Sequence, residues 1–175
     1  MSITYNEIFK QLLKEYHLPG DLSFSIDLPA EVHKILTDKI IMTGLGITLE
    51  SFGGLYKATQ DWENQSIIED NENHFHVDWL IAPADSKNAF MLGVKTLILL
   101  AEKFQKERVN GIRFWYAFQT PELGKLWAKH NNLDEEDKEH LISDRLSFYK
   151  LREGENKIAA NEDGHKFWAI LTIDI

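Results

Sequence analysis

HFHVDWLIAPADSKNAFMLGVKTLILLAEKFQKERVNGIRFWY, from His74 to Tyr116, decides how the chain is read, because strand, turn, helix and strand characters follow one another without a break. His76 to Ile81 has the β-branched and aromatic make-up of a strand. His76, Asp78 and Leu80 then share one face, and Val77, Trp79 and Ile81 the other. Ala82 to Ser86 reads as a turn, since Pro83 cannot continue a central ladder. From Asn88 the apolar residues Phe90, Met91, Val94, Leu97, Ile98, Ala101 and Phe104 recur at the spacing of one helical face. Gly111 closes the helical region and Ile112 to Phe118 supplies a second strand. Two strands joined by a helix of this length are expected to form a βαβ crossover with parallel strands.

Outward from this unit, Ile3 to Tyr16 carries Ile8, Leu12 and Tyr16 on one stripe beside Tyr5, Phe9 and Leu13, which predicts a helix ended by His17 to Gly20. A second helix is expected after Asp27, with Pro29 in its first turn and Val32, Ile35 and Leu36 on its inner face. Lys39–Met42, Ile47–Leu49 and Leu55–Asp61 read as strands, with a turn at Gly44 and Gly46. Pro121 opens a helix through Leu123, Leu126 and Trp127. Arg145–Arg152 and Lys166–Asp174 read as two last strands joined as a hairpin.

The chain has 175 residues, a length that suits one domain over 1–175 able to bury roughly two thirds of its unfolded surface. It has no cysteine, which excludes disulfides, thiolate nucleophiles and zinc–thiolate sites. No apolar run approaches the roughly 20 residues of a membrane span and the N-terminus reads as an amphipathic helix, so membrane insertion is not expected and a cytoplasmic protein is. The formal charge of −9 disfavours nucleic acid as a partner and would suit a basic protein partner. The acidic runs Glu69–Glu72 and Asp134–Glu139 read as solvated loops or helix ends.

The element order, two helices, two or three strands, the strand–helix–strand unit, a helix and two last strands, resembles that of the GNAT superfamily of N-acetyltransferases. Sequence support lies within Asp78–Trp127, and FHVDWLIAPAD (75–85) is similar to a strand of the toxin-activating acyltransferases. The resemblance implies an α/β fold of α+β type: a central mixed sheet, flanking helices and a C-terminal β-hairpin. It also implies acetyl-CoA or another acyl-CoA as cofactor, and a small-molecule or protein amine as acceptor. The pyrophosphate would lie at the helix start, with Ser86, Lys87, Asn88, Gly93 and Lys95 as cofactor-binding residues. Aligned on Gly93, the stretch Phe90–Lys95 lacks the family's leading Gln or Arg and its second small residue. As catalytic residues the resemblance implies Asp78 and His76 on one strand face, with His76 as base and Asp78 orienting it or holding a cationic acceptor. Gln119 stands near the family's Asn and Trp127 near its Tyr, with Tyr116 and Tyr149 as alternative acids.

Other patterns compete. An acidic binding protein of similar fold without cofactor chemistry, of the kind found among immunity proteins, phage inhibitors and virion components, fits the same composition. His76-x-Asp78 is two thirds of a facial iron triad, with His140 or His165 as a third ligand and Arg145-Leu-Ser147 as an echo of a 2-oxoglutarate anchor. Gly44-Leu-Gly46 lacks the third glycine of a dinucleotide fingerprint, and Asn64-Gln65-Ser66 fits a glycosylation acceptor only in a secreted context. Phe114, Trp115, Tyr116 and Phe118, with Trp127 and Trp168, read as core and cleft wall.

Overall fold

The structure, a computed structural model, describes residues 1–44, 46–52, 65–80, 85–132, 143–154 and 166–175. Its centre is β4 (Ile112–Gln119), which pairs along one edge with β5 (Ser143–Lys150) and along the other with β6 (Ala169–Asp174). β1 (Ser2–Tyr5) adds to the outer edge of β6, giving the order β1-β6-β4-β5 with every pair antiparallel. β2 (Ile40–Met42) and β3 (Ile47–Leu49) form a separate antiparallel pair.

Alternation along β4 sorts the two faces of the sheet. Ile112, Phe114, Tyr116 and Phe118 point into the main core, where they meet Phe90, Val94, Leu97, Ala101 and Phe104 of α4 (Ser86–Lys106). Trp115 and Ala117 point the other way, into a smaller cluster with Tyr149 and Ile170. At Gly93 α4 lies against β4 with no room for a side chain: an added Cβ would fall 2.1 Å from Cζ of Tyr116. α1 (Glu7–Glu15) lays Phe9, Leu12 and Leu13 into the main core, and α2 (Ala30–Thr37) adds Val32. α5 (Pro121–His130) follows β4 directly, with Thr120 as its cap accepting from the Leu123 N–H.

The outer edge of β5 is covered by the chain that leads from α3 (Gln65–Glu72) to Val77. Phe75 exchanges both backbone hydrogen bonds with Leu146, Asn73 donates to the Phe148 carbonyl, and Glu69 accepts from the Lys150 N–H. Such cover removes the unpaired groups that an edge strand otherwise presents. The acidic run Glu69–Glu72 is the end of helix α3, one of its two expected forms, but only Asn71 and Glu72 are solvated. Glu69 and Asp70 are buried, paired with Arg152 and Arg145, and Asp70 also accepts from the Trp115 indole N–H.

The central unit and the last strands differ from expectation in three respects. His76–Ile81 is not a strand: Asp78–Leu80 is a short 3-10 turn closed by Leu80 N–H donating to the Val77 carbonyl, and Ile81 lies outside the described residues. The Val77 N–H goes to a side chain rather than to a ladder, so no parallel crossover forms and the four-stranded sheet is antiparallel, not mixed. β5 and β6 do not make a C-terminal hairpin, because the largely buried β4 takes one of them on each edge.

The helix expected from Ile3 begins only at Glu7, since the Asn6 side chain caps it by accepting from Phe9 N–H and also binds β6 through Ile170 N–H and the Trp168 carbonyl. The strand expected at Leu55–Asp61 lies outside the described residues. Among the described residues no helix is long and apolar enough to cross a membrane.

Candidate functional site

The edge cover that closes β5 also brings together the polar groups of His76 and Asp78 and a residue far from them in sequence, Asp144. Asp144 stands second in β5, in the same alternation as Leu146 and Phe148, so its carboxylate is turned into the protein and fully buried. Its Oδ1 accepts from the Val77 N–H at 3.0 Å and lies 3.6 Å from Nδ1 of His76. Its Oδ2 and Oδ1 of Asp78 are buried and unpartnered while both carboxyls are ionised, and a protonated Asp78 can donate to Asp144. One donor atom from each of His76, Asp78 and Asp144 lies within 4.8 Å of the others.

Each group responds to this crowding. Burial, and then the charge of Asp144, push the Asp78 carboxyl up to about 7. The Asp144 carboxylate, as hydrogen-bond partner and as charge, raises the His76 imidazole above its usual value against the opposing effect of burial. Beneath the three lies the fully buried Tyr116, whose hydroxyl is driven well above 10 by burial first and by Asp144 and Asp78 next. That hydroxyl donates to the Ala89 carbonyl at 3.4 Å.

On the outer side, the Trp79 indole stacks on the His76 ring with centroids 4.6 Å apart and planes 20° apart, while His74 meets His76 edge-on. Trp79 is 78% exposed, so it does not pack behind the site as strand geometry would have it. Val77 does, with no exposure.

The residues expected to hold a cofactor do not gather at one point. Ser86, Lys87 and Asn88 form the first turn of α4, but its cap is the Asp85 carboxylate, which takes both the backbone and the side-chain N–H of Asn88. An arriving phosphate would meet this carboxylate at the helix start. Gly93 is buried against the Tyr116 ring, and Lys95 lies half-buried further along α4.

Of the other expected groups, Gln119 is buried and donates to the Phe167 carbonyl, and Tyr149 lies in the cluster on the opposite face of the sheet. Arg145 is held by Asp70 and Asn71, and Ser147 donates to the Asp70 carbonyl, so this pair does not form an open anchor. His140 and His165 lie outside the described residues. Asp144 was not among the expected site residues, and one signal marks it: it is the lone charge in the buried register Asp144, Leu146, Phe148.

What the arrangement can do follows from its donors. Two carboxylates and one imidazole on neighbouring backbone segments can share a proton, or share a cation that satisfies the two unpartnered oxygens at once. The absence of cysteine leaves only oxygen and nitrogen donors, a set suited to Mn(II), Fe(II) or Zn(II). No family model, no curated protein and no solved structure matches this chain.

Proposed function

We propose that His76, Asp78 and Asp144 hold one divalent cation and that the protein is a metal-dependent enzyme acting on an oxygen-donor substrate. The observation that carries this reading is the cluster itself: Asp78 Oδ1 and Asp144 Oδ2 are buried and unpartnered when both carboxyls are ionised, and one atom from each carboxylate and one imidazole nitrogen lie within 4.8 Å of one another. Buried polar atoms are nearly always paired, and an unpartnered one costs roughly 1–3 kcal/mol. With both carboxyls ionised, two such atoms in one three-donor cluster are accounted for by a cation; with Asp78 protonated, a proton shared with Asp144 takes its place. With three protein ligands the cation keeps open positions, where it acts as a Lewis acid on a bound oxygen. His76, stacked on Trp79, and Asp144, fixed by the Val77 N–H, supply rigid ligands, and Asp78 sits on the short turn between them.

Calorimetric titration of chelator-treated protein with MnCl2 tests this. One site with a Kd below about 100 μM is expected, lost in Asp144→Asn. Absence of binding below about millimolar overturns the reading.

A second reading, acyl transfer to an amine, keeps one observation in its favour: the two residues that the acetyltransferase resemblance implies as catalytic, His76 and Asp78, do meet in one cluster. Against it stand the antiparallel sheet and the Asp85 carboxylate at the start of α4. Titration with acetyl-CoA and CoA separates the two readings, since binding of CoA with no cation requirement would favour the second.

A further inference from the structure

The β2–β3 turn, the loop after α4 and the end of β5 border a cleft of about 330 Å³, at the lower end of the range of small-molecule sites. It is remote from the His76–Asp78–Asp144 cluster: Asp144 stands near the start of β5 and Lys150 ends it, roughly 20 Å further along the strand. Among the described residues, three cations, Arg108, Lys150 and Arg152, and a single carboxylate, Glu107, line the cleft. Glu107 is taken by Lys103 at 2.8 Å, and Arg152 by the buried Glu69. Arg108 and Lys150 are exposed, and among the described residues neither side chain has a hydrogen-bond or ion-pair partner. The dipole of α4 does not account for Arg108, because Lys103 and Lys106 already stand in its last turn and Arg108 lies beyond the Glu107 cap.

We propose that this cleft is a second ligand site, independent of the cation reading, and that it binds a small phosphomonoester. The dianionic head lies between the Arg108 guanidinium and the Lys150 ammonium, and a short organic body meets the apolar part of the lining at Ile47, Val109 and Ile112. A dianion matches two cations that have no protein partner, and phosphate oxygens suit the planar donors of arginine together with the point charge of lysine. In a chain of net charge −9 the pair gives an anion a local attraction that the surface as a whole does not.

Calorimetric titration of the full chain with phenyl phosphate and with benzoate, at about pH 8, low ionic strength and without added metal, tests the claim. Phenyl phosphate is expected to bind at one site with a Kd below about 1 mM, and the monoanionic benzoate about tenfold more weakly or less. Arg108→Asn and Lys150→Gln should each weaken phenyl phosphate about tenfold, whereas Lys87→Ala, which removes an exposed cation from the first turn of α4, should leave it unchanged. Asparagine suits the left-handed backbone at position 108, where φ is 60°, and both replaced side chains are exposed, so the variants are expected to fold; thermal melting checks this.

No saturation by phenyl phosphate below about 10 mM overturns the proposal. So does an equal loss of affinity in Lys87→Ala, which would mark attraction to surface charge at large, and so does unchanged affinity in both Arg108→Asn and Lys150→Gln. Benzoate bound as tightly as phenyl phosphate overturns the assignment of a dianionic head.

Discussion

The backbone N–H of Val77 donates to Oδ1 of Asp144 at 3.0 Å, and with the two Phe75–Leu146 backbone bonds it joins the segment bearing His76 and Asp78 to β5, Asp144 being 67 residues away in the chain. The side chain that would serve as a ligand is thereby also the one that positions its two partners. Asp144→Ala should break both functions, whereas Asp144→Asn keeps an acceptor for Val77 and removes one ligand charge. Asp144→Asn is therefore expected to retain a melting temperature within a few degrees of the parent while losing the cation response, and Asp144→Ala to lose both. Thermal melting with and without MnCl2 measures the two effects side by side.

In chelator-treated protein, stability should fall as pH rises from about 4 to about 7. Asp78 faces Asp144, His76 and the buried Tyr116, and its folded pKa lies near 7 against an ordinary 3.8. A carboxyl raised in the folded state binds more protons folded than unfolded, so its contribution is complete below the unfolded value and is lost as pH rises through the folded one. His76, also raised, acts with the same sign above its ordinary 6.5. Asp78→Asn is expected to flatten this slope, read as melting temperature against pH. A parallel slope in parent and variant would contradict the crowding described at the site.

Glu69 holds the cover over β5 in place. It is fully buried, pairs with Arg152, and accepts from the N–H groups of Ile47 and Lys150. Glu69→Ala strands those donors and is expected to cost about 3–5 kcal/mol in urea denaturation. Gly46→Ala should weaken the same contact, since its Cβ would fall 2.1 Å from Glu69 Oε1.

Gly93 distinguishes packing from cofactor binding. A Cβ there would sit 2.1 Å from the Tyr116 ring, so Gly93→Ala is expected to destabilise by about 1–3 kcal/mol through overpacking. Lys87→Ala, on the exposed first turn of α4, should leave stability within about 0.5 kcal/mol. Denaturation midpoints of the two variants check this contrast.

What could be read from the sequence follows the range of the interactions involved. The α4 periodicity from Phe90 to Phe104 and the Pro121 start of α5 are local signals, and both elements appear where those signals place them. Strands β2 to β6 likewise keep close to their expected spans. Pairing is not local: nothing in Arg145–Arg152 or Lys166–Asp174 shows that β4 will come between them.

Ser2–Tyr5 suits a strand as well as a helix, and its ladder with β6, continued by the Asn6 contacts, decides for the strand. His76–Ile81 has strand composition, yet its backbone is taken by Asp144, a partner too distant for spacing to reveal. The H-x-D pattern is legible as a partial ligand set, with His140 or His165 expected as its third member; Asp144 lies just before the strand expected at Arg145–Arg152, and only the observed start of β5 at Ser143 turns it inward.

The cation itself can be located. Crystals of the chelator-treated protein soaked in MnCl2 and measured for anomalous scattering should show one peak bounded by His76 Nδ1 and by carboxylate oxygens of Asp78 and Asp144, at about 2.0–2.3 Å from each. A peak placed elsewhere, or none under conditions where the three side chains are clearly seen, would contradict the account.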